Sequence, residues 1–280
     1  MMSRERYKSR VVMSRPQAPG YSAAENGARQ VREVLWTGGW DSTFRVADLV
    51  LVHQAVVRPW YIEDDTRQST RHELSAMDEI REALSLQATE GELLETKRIE
   101  KKNINRDPVV TEKFEELKAR RGLGPQYQWL ADLVLERHLE GIEVCITNSD
   151  RFAFLLFGES DDDRSYQLIP HRPDLDERSP ESLFNLFSFP TIGLSKSDMR
   201  QYAQEHGFAE VLYKAWFCHT PTRASRPCGF CTPCRVTYSQ GLKERLDVHG
   251  KVRKTIMDCC DAVPRGYRAK KWLRRKLRGF

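Results

Sequence analysis

No run of apolar residues in this 280-residue chain approaches the roughly 20 needed to cross a bilayer. The N-terminal stretch is basic but lacks the apolar core of a secretory signal. Both absences point to the cytoplasm and to no membrane partner. There is no internal repeat, and no G-x-x-x-x-G-K-[ST] pattern, which excludes a Walker A loop. What remains is an ordinary globular composition, 40% hydrophobic, long enough for one large domain or two small ones.

Acidic residues are scarce only at the ends. The formal net charge is +5, yet residues 1–32 hold seven Lys/Arg against two acids and residues 251–280 eleven against two, leaving −9 on residues 33–250. Basic ends suit nucleic acid or an acidic protein surface, and they also occur as plain solvated tails. The terminal KKWLRRKLRGF sets Trp272, Leu273 and Leu277 among cations. It reads as a short amphipathic helix whose apolar side can dock on its own domain.

Seven cysteines in a reducing compartment do not suggest a disulfide framework. Four of them, Cys218, Cys228, Cys231 and Cys234, follow a C-x9-C-x2-C-x2-C spacing with Gly229 and Pro233 in the turns. Thiolates so spaced can converge on one tetrahedral Zn2+, and an iron–sulfur cluster is the competing reading. His219 stands beside them as a spare ligand. Cys145, Cys259 and Cys260 are assigned to packing.

Residues 1–30 lack periodicity and read as a flexible basic segment. Residues 33–37 and 55–62 read as strands around a helix from Asp41 to His53, a strand–helix–strand unit that favours a parallel sheet. Further strands are expected at 93–99, 142–147 and 184–190. Helices are expected at Glu73–Leu86, Tyr127–Leu139 and Ser195–Gly207, with Ser195 as cap and Gly207 as stop. The charged stretch from Lys101 to about Gly124 is placed outside the sheet, and Glu159–Ser182 reads as a long surface loop.

The turn LWTGGWDST, residues 35–43, lies at the carboxyl end of the first strand, where open α/β sheets bind ligands. Adjacent glycines let backbone amides approach a ligand, and a following helix offers unpaired N–H groups to an anion. A tight turn with Asp41 or Ser42 as an ordinary helix cap fits the same residues.

Three elements in order, TGGWDST, PTIGLSKSDM and the four cysteines, together resemble the PP-loop adenine-nucleotide α-hydrolase superfamily and, within it, the 7-cyano-7-deazaguanine synthases of queuosine biosynthesis. The resemblance runs from about Glu33 to Gly241. It implies a parallel sheet with helices on both faces over residues 31–215, a zinc module at 216–245, and a basic helical segment at 246–280. The family's phosphate loop is Ser-Gly-Gly-x-Asp-Ser. Here Thr37 replaces the first serine, and Gly38, Gly39, Asp41 and Ser42 match, followed by Thr43. Lys196 of GLSK matches a lysine directed toward the phosphates. Arg71, His72 and Glu73 resemble the start of the helix after the second strand.

By this resemblance ATP and Mg2+ are the nucleotide and its counterion, and a deazapurine carboxylate is activated on the α-phosphorus for attack by ammonia or an amine. Asp41, Ser42 and Lys196 take the catalytic roles, and Thr37, Gly38, Gly39, Asp41, Ser42, Thr43 and Lys196 contact the nucleotide. The chain departs from the family at Pro125–Gln128 and across Thr147–Asp163, on the substrate side. A protein or nucleic acid partner at the basic termini and a homodimer remain open. So do two other functions: a PP-loop enzyme that modifies a tRNA base, and a noncatalytic nucleotide-binding zinc protein.

Overall fold

Strand residues of alternate sense meet different helices. A computed structural model of the chain describes residues 30–139, 141–147, 177–262 and 267–279. In β1 (Val31–Leu35) and β2 (Val56–Glu63), Val34 and Val57 bury on one side while Leu35 and Ile62 bury on the other. Two buried faces require a layer of helix on each, the arrangement typical of parallel sheets.

The remaining strands are short: β3 (Glu92–Leu93), β4 (Lys97–Glu100), β5 (Ile142–Glu143) and β6 (Phe187–Ser188). Among the described residues every pairing is parallel, in the order β3-β2-β1-β5-β6, with β4 also on β2. The expected strand at 93–99 is therefore split in two, each piece pairing a different stretch of β2. The strand expected at 142–147 keeps regular pairing only at its start. That expected at 184–190 begins instead as a 3-10 turn, Pro180–Leu186. The strand order reverses between β1 and β5, the switch point at whose carboxyl side open α/β sheets form their ligand crevice.

Helices α1 (Trp40–Ala47) and α2 (Thr70–Gln87) cover one face, α3 (Pro108–Arg121) and α4 (Gln126–Arg137) the other, and α5 (Lys196–Glu205) and α6 (Ala209–Tyr213) return to the first. The helix expected to reach His53 changes pitch at Asp48, where a π turn takes over and His53 N donates to Asp48 O at 3.0 Å.

The charged stretch after Lys101 lies outside the sheet as expected, but it contains the unforeseen α3. Asp107 caps that helix by accepting from the amides of Val109 and Val110 at 2.8 and 3.0 Å. Pro108 opens its first turn, and Gly122 closes it at φ +68°. Val110, Phe114 and Leu117 form its buried stripe.

A third core gathers Cys218, Cys228, Phe230, Cys234, Leu246, Met257 and Leu277. It is built by α7 (Thr232–Ser239), α8 (Val248–Ala262) and α9 (Tyr267–Leu277). The amphipathic C-terminal helix thus exists, and it docks on its own chain through Leu273 and Leu277. Residues 1–29 of the expected flexible segment 1–30, and the parts of the expected loop and substrate segment at 148–176, lie outside the described residues. Among the described residues no helix is long and apolar enough to cross a membrane.

Candidate nucleotide site and metal centre

The glycine turn is shaped by what lies beneath it. Gly38 has φ +63°, and a Cβ there would sit 2.8 Å from the carbonyl oxygen of Glu73 and 2.9 Å from Met77 Cγ. Only glycine meets both demands, so the turn can lie directly against α2. Gly39 is the N-cap of α1 and provides no side chain to satisfy the helix's first amides. Ser42 Oγ lies 3.4 Å from both the amide of Thr37 and the carbonyl of Gly39, bracing the turn from inside.

Asp41 and Lys196 are 155 residues apart in sequence and form a direct ion pair between Asp41 Oδ1 and Lys196 Nζ. Lys196 is the first residue of α5, whose capping box is complete. Ser195 Oγ accepts from the amide of Asp198 at 3.1 Å, and Asp198 Oδ2 accepts from the amide of Ser195 at 2.8 Å. The preceding turn is tied to the segment that follows β5 by Thr191 Oγ1, which donates to the carbonyl of Ile146 at 2.8 Å. The Lys196 side chain is 10% exposed. A cation so far from water needs an anion, and in this structure Asp41 provides it.

Of the sequence-picked residues, Thr37, Gly38, Gly39, Asp41, Ser42 and Lys196 come together at the crevice. Thr43 stands apart. It is fully buried, and its Oγ1 accepts from Trp36 Nε1 at 3.1 Å.

Glu73 supports the turn from α2. Its carboxylate accepts from Tyr61 Oη at 2.9 Å and Ser69 Oγ at 2.6 Å and pairs with Arg67 at 3.1 Å. Burial, then the Glu73 charge, holds the Tyr61 phenol above its usual range. His72 stacks on Trp216 with ring centroids 4.5 Å apart. Burial and then Arg71 push its imidazole down, which favours a neutral ring near pH 7. Arg71 itself is exposed.

The four cysteines meet without a disulfide. Their sulfurs lie within 4.8 Å of one another, with contacts of 3.4 Å for Cys231–Cys234 and 3.9 Å for Cys228–Cys234 and Cys218–Cys231. A tetrahedral Zn2+ with bonds of about 2.3 Å sets its sulfurs about 3.8 Å apart, so the group fits. Cys228 N donates to Cys218 Sγ at 3.2 Å and Cys231 N to Cys228 Sγ at 3.3 Å. Cys231 caps α7 and Cys234 lies in its first turn, where the helix dipole favours thiolate. At Gly229, φ is +86° and a Cβ would lie 2.1 Å from Gly250 O, so the cysteine loop presses against α8.

Three relationships had no sequence motif. Trp216 N donates to the carbonyl of Gly38 at 2.8 Å, while its indole donates to the carbonyl of Cys218 at 2.7 Å. Gln240, just past α7, accepts from the amide of Lys196 at 3.4 Å. Glu143, 1% exposed in β5, binds Arg32 and Arg45. Burial raises its pKa, but hydrogen bonding to Arg45 and the charges of Arg45 and Arg32 outweigh it, and the carboxyl is held below its usual range. A lone acid inside the apolar IEVCIT was the available signal for this last network.

No protein-family model matches this sequence, and no curated protein sequence does. Among solved structures, an NMN synthetase from Francisella tularensis is similar at a TM-score of 0.31 and 13% identity, over 66% of this chain and 65% of that one. The matched part spans less than two thirds of that protein's length. So distant a likeness does not assign a family.

Proposed function

We propose that the chain is an ATP-dependent carbon–nitrogen ligase of the PP-loop type. It adenylates the carboxylate of 7-carboxy-7-deazaguanine or a close relative and passes the acyl group to ammonia or a larger amine. The observation that carries this reading is the Asp41–Lys196 pair set beside a glycine turn at the point where the strand order reverses.

Each residue then has a role set by its chemistry. The amides of the turn and of the first turn of α1 donate to phosphate oxygens. Lys196 holds negative charge on the phosphates, and Asp41 would hold Mg2+, which when bound would supply neutralising charge there. The substrate carboxylate attacks the α-phosphorus, and the bond to pyrophosphate breaks. The amine nitrogen then attacks the acyl carbon, AMP leaves, and the surplus proton passes to solvent. The four thiolates hold one Zn2+, whose contribution is folding energy.

Incubation with ATP and 7-carboxy-7-deazaguanine, with and without ammonium, followed by mass analysis, tests the reading. AMP, pyrophosphate and an amide or nitrile are expected. ADP and inorganic phosphate as products would exclude attack at the α-phosphorus.

A further inference from the structure

We propose that the outer face of α9, continued by the loops it touches, is a track for single-stranded nucleic acid that leads toward the glycine turn.

The helix is fixed in place, not a loose tail. Leu277 is 9% exposed and packs with Leu273 in the cysteine core. Lys270 and Arg274 meet Asp261 at 3.5 and 4.0 Å, and the carbonyl of Arg278 accepts from the amide of Arg223 at 3.1 Å. Its outward side presents Lys271, Arg275 and Lys276 around Trp272, which is 61% exposed. Lys276 Nζ lies 5.9 Å from the centroid of the indole. Among the described residues, Lys271, Arg275, Lys276, Arg223 and Arg71 form no ion pair.

The track continues to the candidate nucleotide site. Arg278 donates to Gln68 Oε1 at 3.2 Å. Gln68 shortly precedes Arg71 and Glu73, and the carbonyl of Glu73 is the one that lies against Gly38. These contacts join the segments that carry Lys271, Arg275 and Arg278, Arg223, and Arg71.

The partner follows from the chemistry presented. A line of unpaired cations matches a regular series of phosphates, and an exposed indole among them offers a face on which an unpaired base can stack. A bilayer needs an apolar face to insert into it, and here Leu273 and Leu277 are already committed to the core, leaving Trp272 alone. An acidic peptide would answer the charge and leave the indole unused. The −9 on residues 33–250 repels a polyanion from the rest of the surface and confines it to the track.

Binding requires no ligase chemistry; only the purpose of the track's inner end rests on the function proposed above. The test uses the full chain, a fluorescein-labelled 12-nucleotide oligouridylate and anisotropy across a salt series, without ATP. Micromolar binding is expected, weakening with salt by about 0.7 log units per phosphate contact per decade. Lys271→Glu with Arg275→Glu should weaken it at least tenfold and flatten the salt slope. Trp272→Ala should weaken it about fivefold or more at every salt concentration, with the slope unchanged.

No binding, or charge reversal or Trp272→Ala without effect, would overturn the track. So would equal binding of polyglutamate, or capture by phosphatidylserine vesicles in preference to the oligonucleotide. Zinc content and circular dichroism confirm folding, since all three side chains are exposed. AMP formation with ammonia, measured in the same variants, separates the two claims. Lost RNA binding with AMP release retained supports the track, whereas RNA binding without any AMP release speaks against the ligase alone.

Discussion

The amide of Trp216 donates to the carbonyl of Gly38 at 2.8 Å, and two residues further on the chain enters the cysteine cluster at Cys218. The glycine turn is thus buttressed by the segment that leads into the cysteine cluster, and Gln240 connects the far end of α7 to the amide of Lys196. Loss of the metal should therefore be felt at the nucleotide. Purified protein is expected to carry about one zinc per chain, and Cys228→Ser to lower zinc content, melting temperature and ATP affinity together. Elemental analysis showing equimolar iron, with visible charge-transfer absorption, would refute the zinc assignment.

The Asp41–Lys196 pair makes a second prediction. Asp41→Asn and Lys196→Met should each reduce pyrophosphate release by about 100- to 1000-fold, the range for loss of one preorganised charge contact. Asp41→Asn leaves the buried Lys196 without its counter-charge and Lys196→Met leaves the half-buried Asp41 without its own, so melting temperature is measured alongside. Zinc content should stay unchanged, and a variant that turns over normally would remove the pair from the mechanism.

Gly38 and Gly39 should respond differently to alanine. Gly38→Ala combines a positive φ with contacts of 2.8 and 2.9 Å, and should cost about 1–3 kcal/mol. Gly39 has φ −78° and its nearest contact would be Thr37 Oγ1 at 3.2 Å, so Gly39→Ala should fold nearly as well as the parent. Thermal melts compare them; equal losses would mean that the left-handed turn is not the constraint.

Glu143 gives a pH prediction. Its folded pKa lies below the ordinary 4.5, so its stabilisation is complete above pH 4.5 and is lost as pH falls through the lower folded value. Glu143→Gln, which leaves Arg32 and Arg45 without their shared anion, should cost about 3–5 kcal/mol near neutrality. It should also flatten the acid limb of the stability curve. Urea titrations between pH 3 and 7 measure both effects, and an unchanged acid limb would dismiss Glu143 as its source.

The parts of the site legible in the sequence are those fixed by local rules. Gly38, Ser195 and the C-x2-C steps announce a turn, a cap and a cysteine cluster within a few residues, and the structure shows the left-handed turn, the capping box and four sulfurs close together. The helix α3 was also legible in Asp107-Pro108 and Gly122, but the surrounding charge obscured the Val110, Phe114 and Leu117 stripe. Trp216, Gln240 and Glu143 act on residues 178, 44, 98 and 111 positions away, as the hydrogen bonds to Gly38, Lys196, Arg45 and Arg32 show. No local spacing rule reaches across such separations, because only the sheet topology brings those residues together.

The separation of Asp41 from Lys196 also sets a timetable. At about 5–20 residues per second, synthesis delivers the lysine roughly 8–30 s after the aspartate, and the last cysteine later still. For that interval the nascent chain carries a glycine turn with no counter-charge and no buttress. Under the function proposed above, a triphosphate met then would find amides but no lysine, so nucleotide capture would belong to the finished chain and would not guide its early folding.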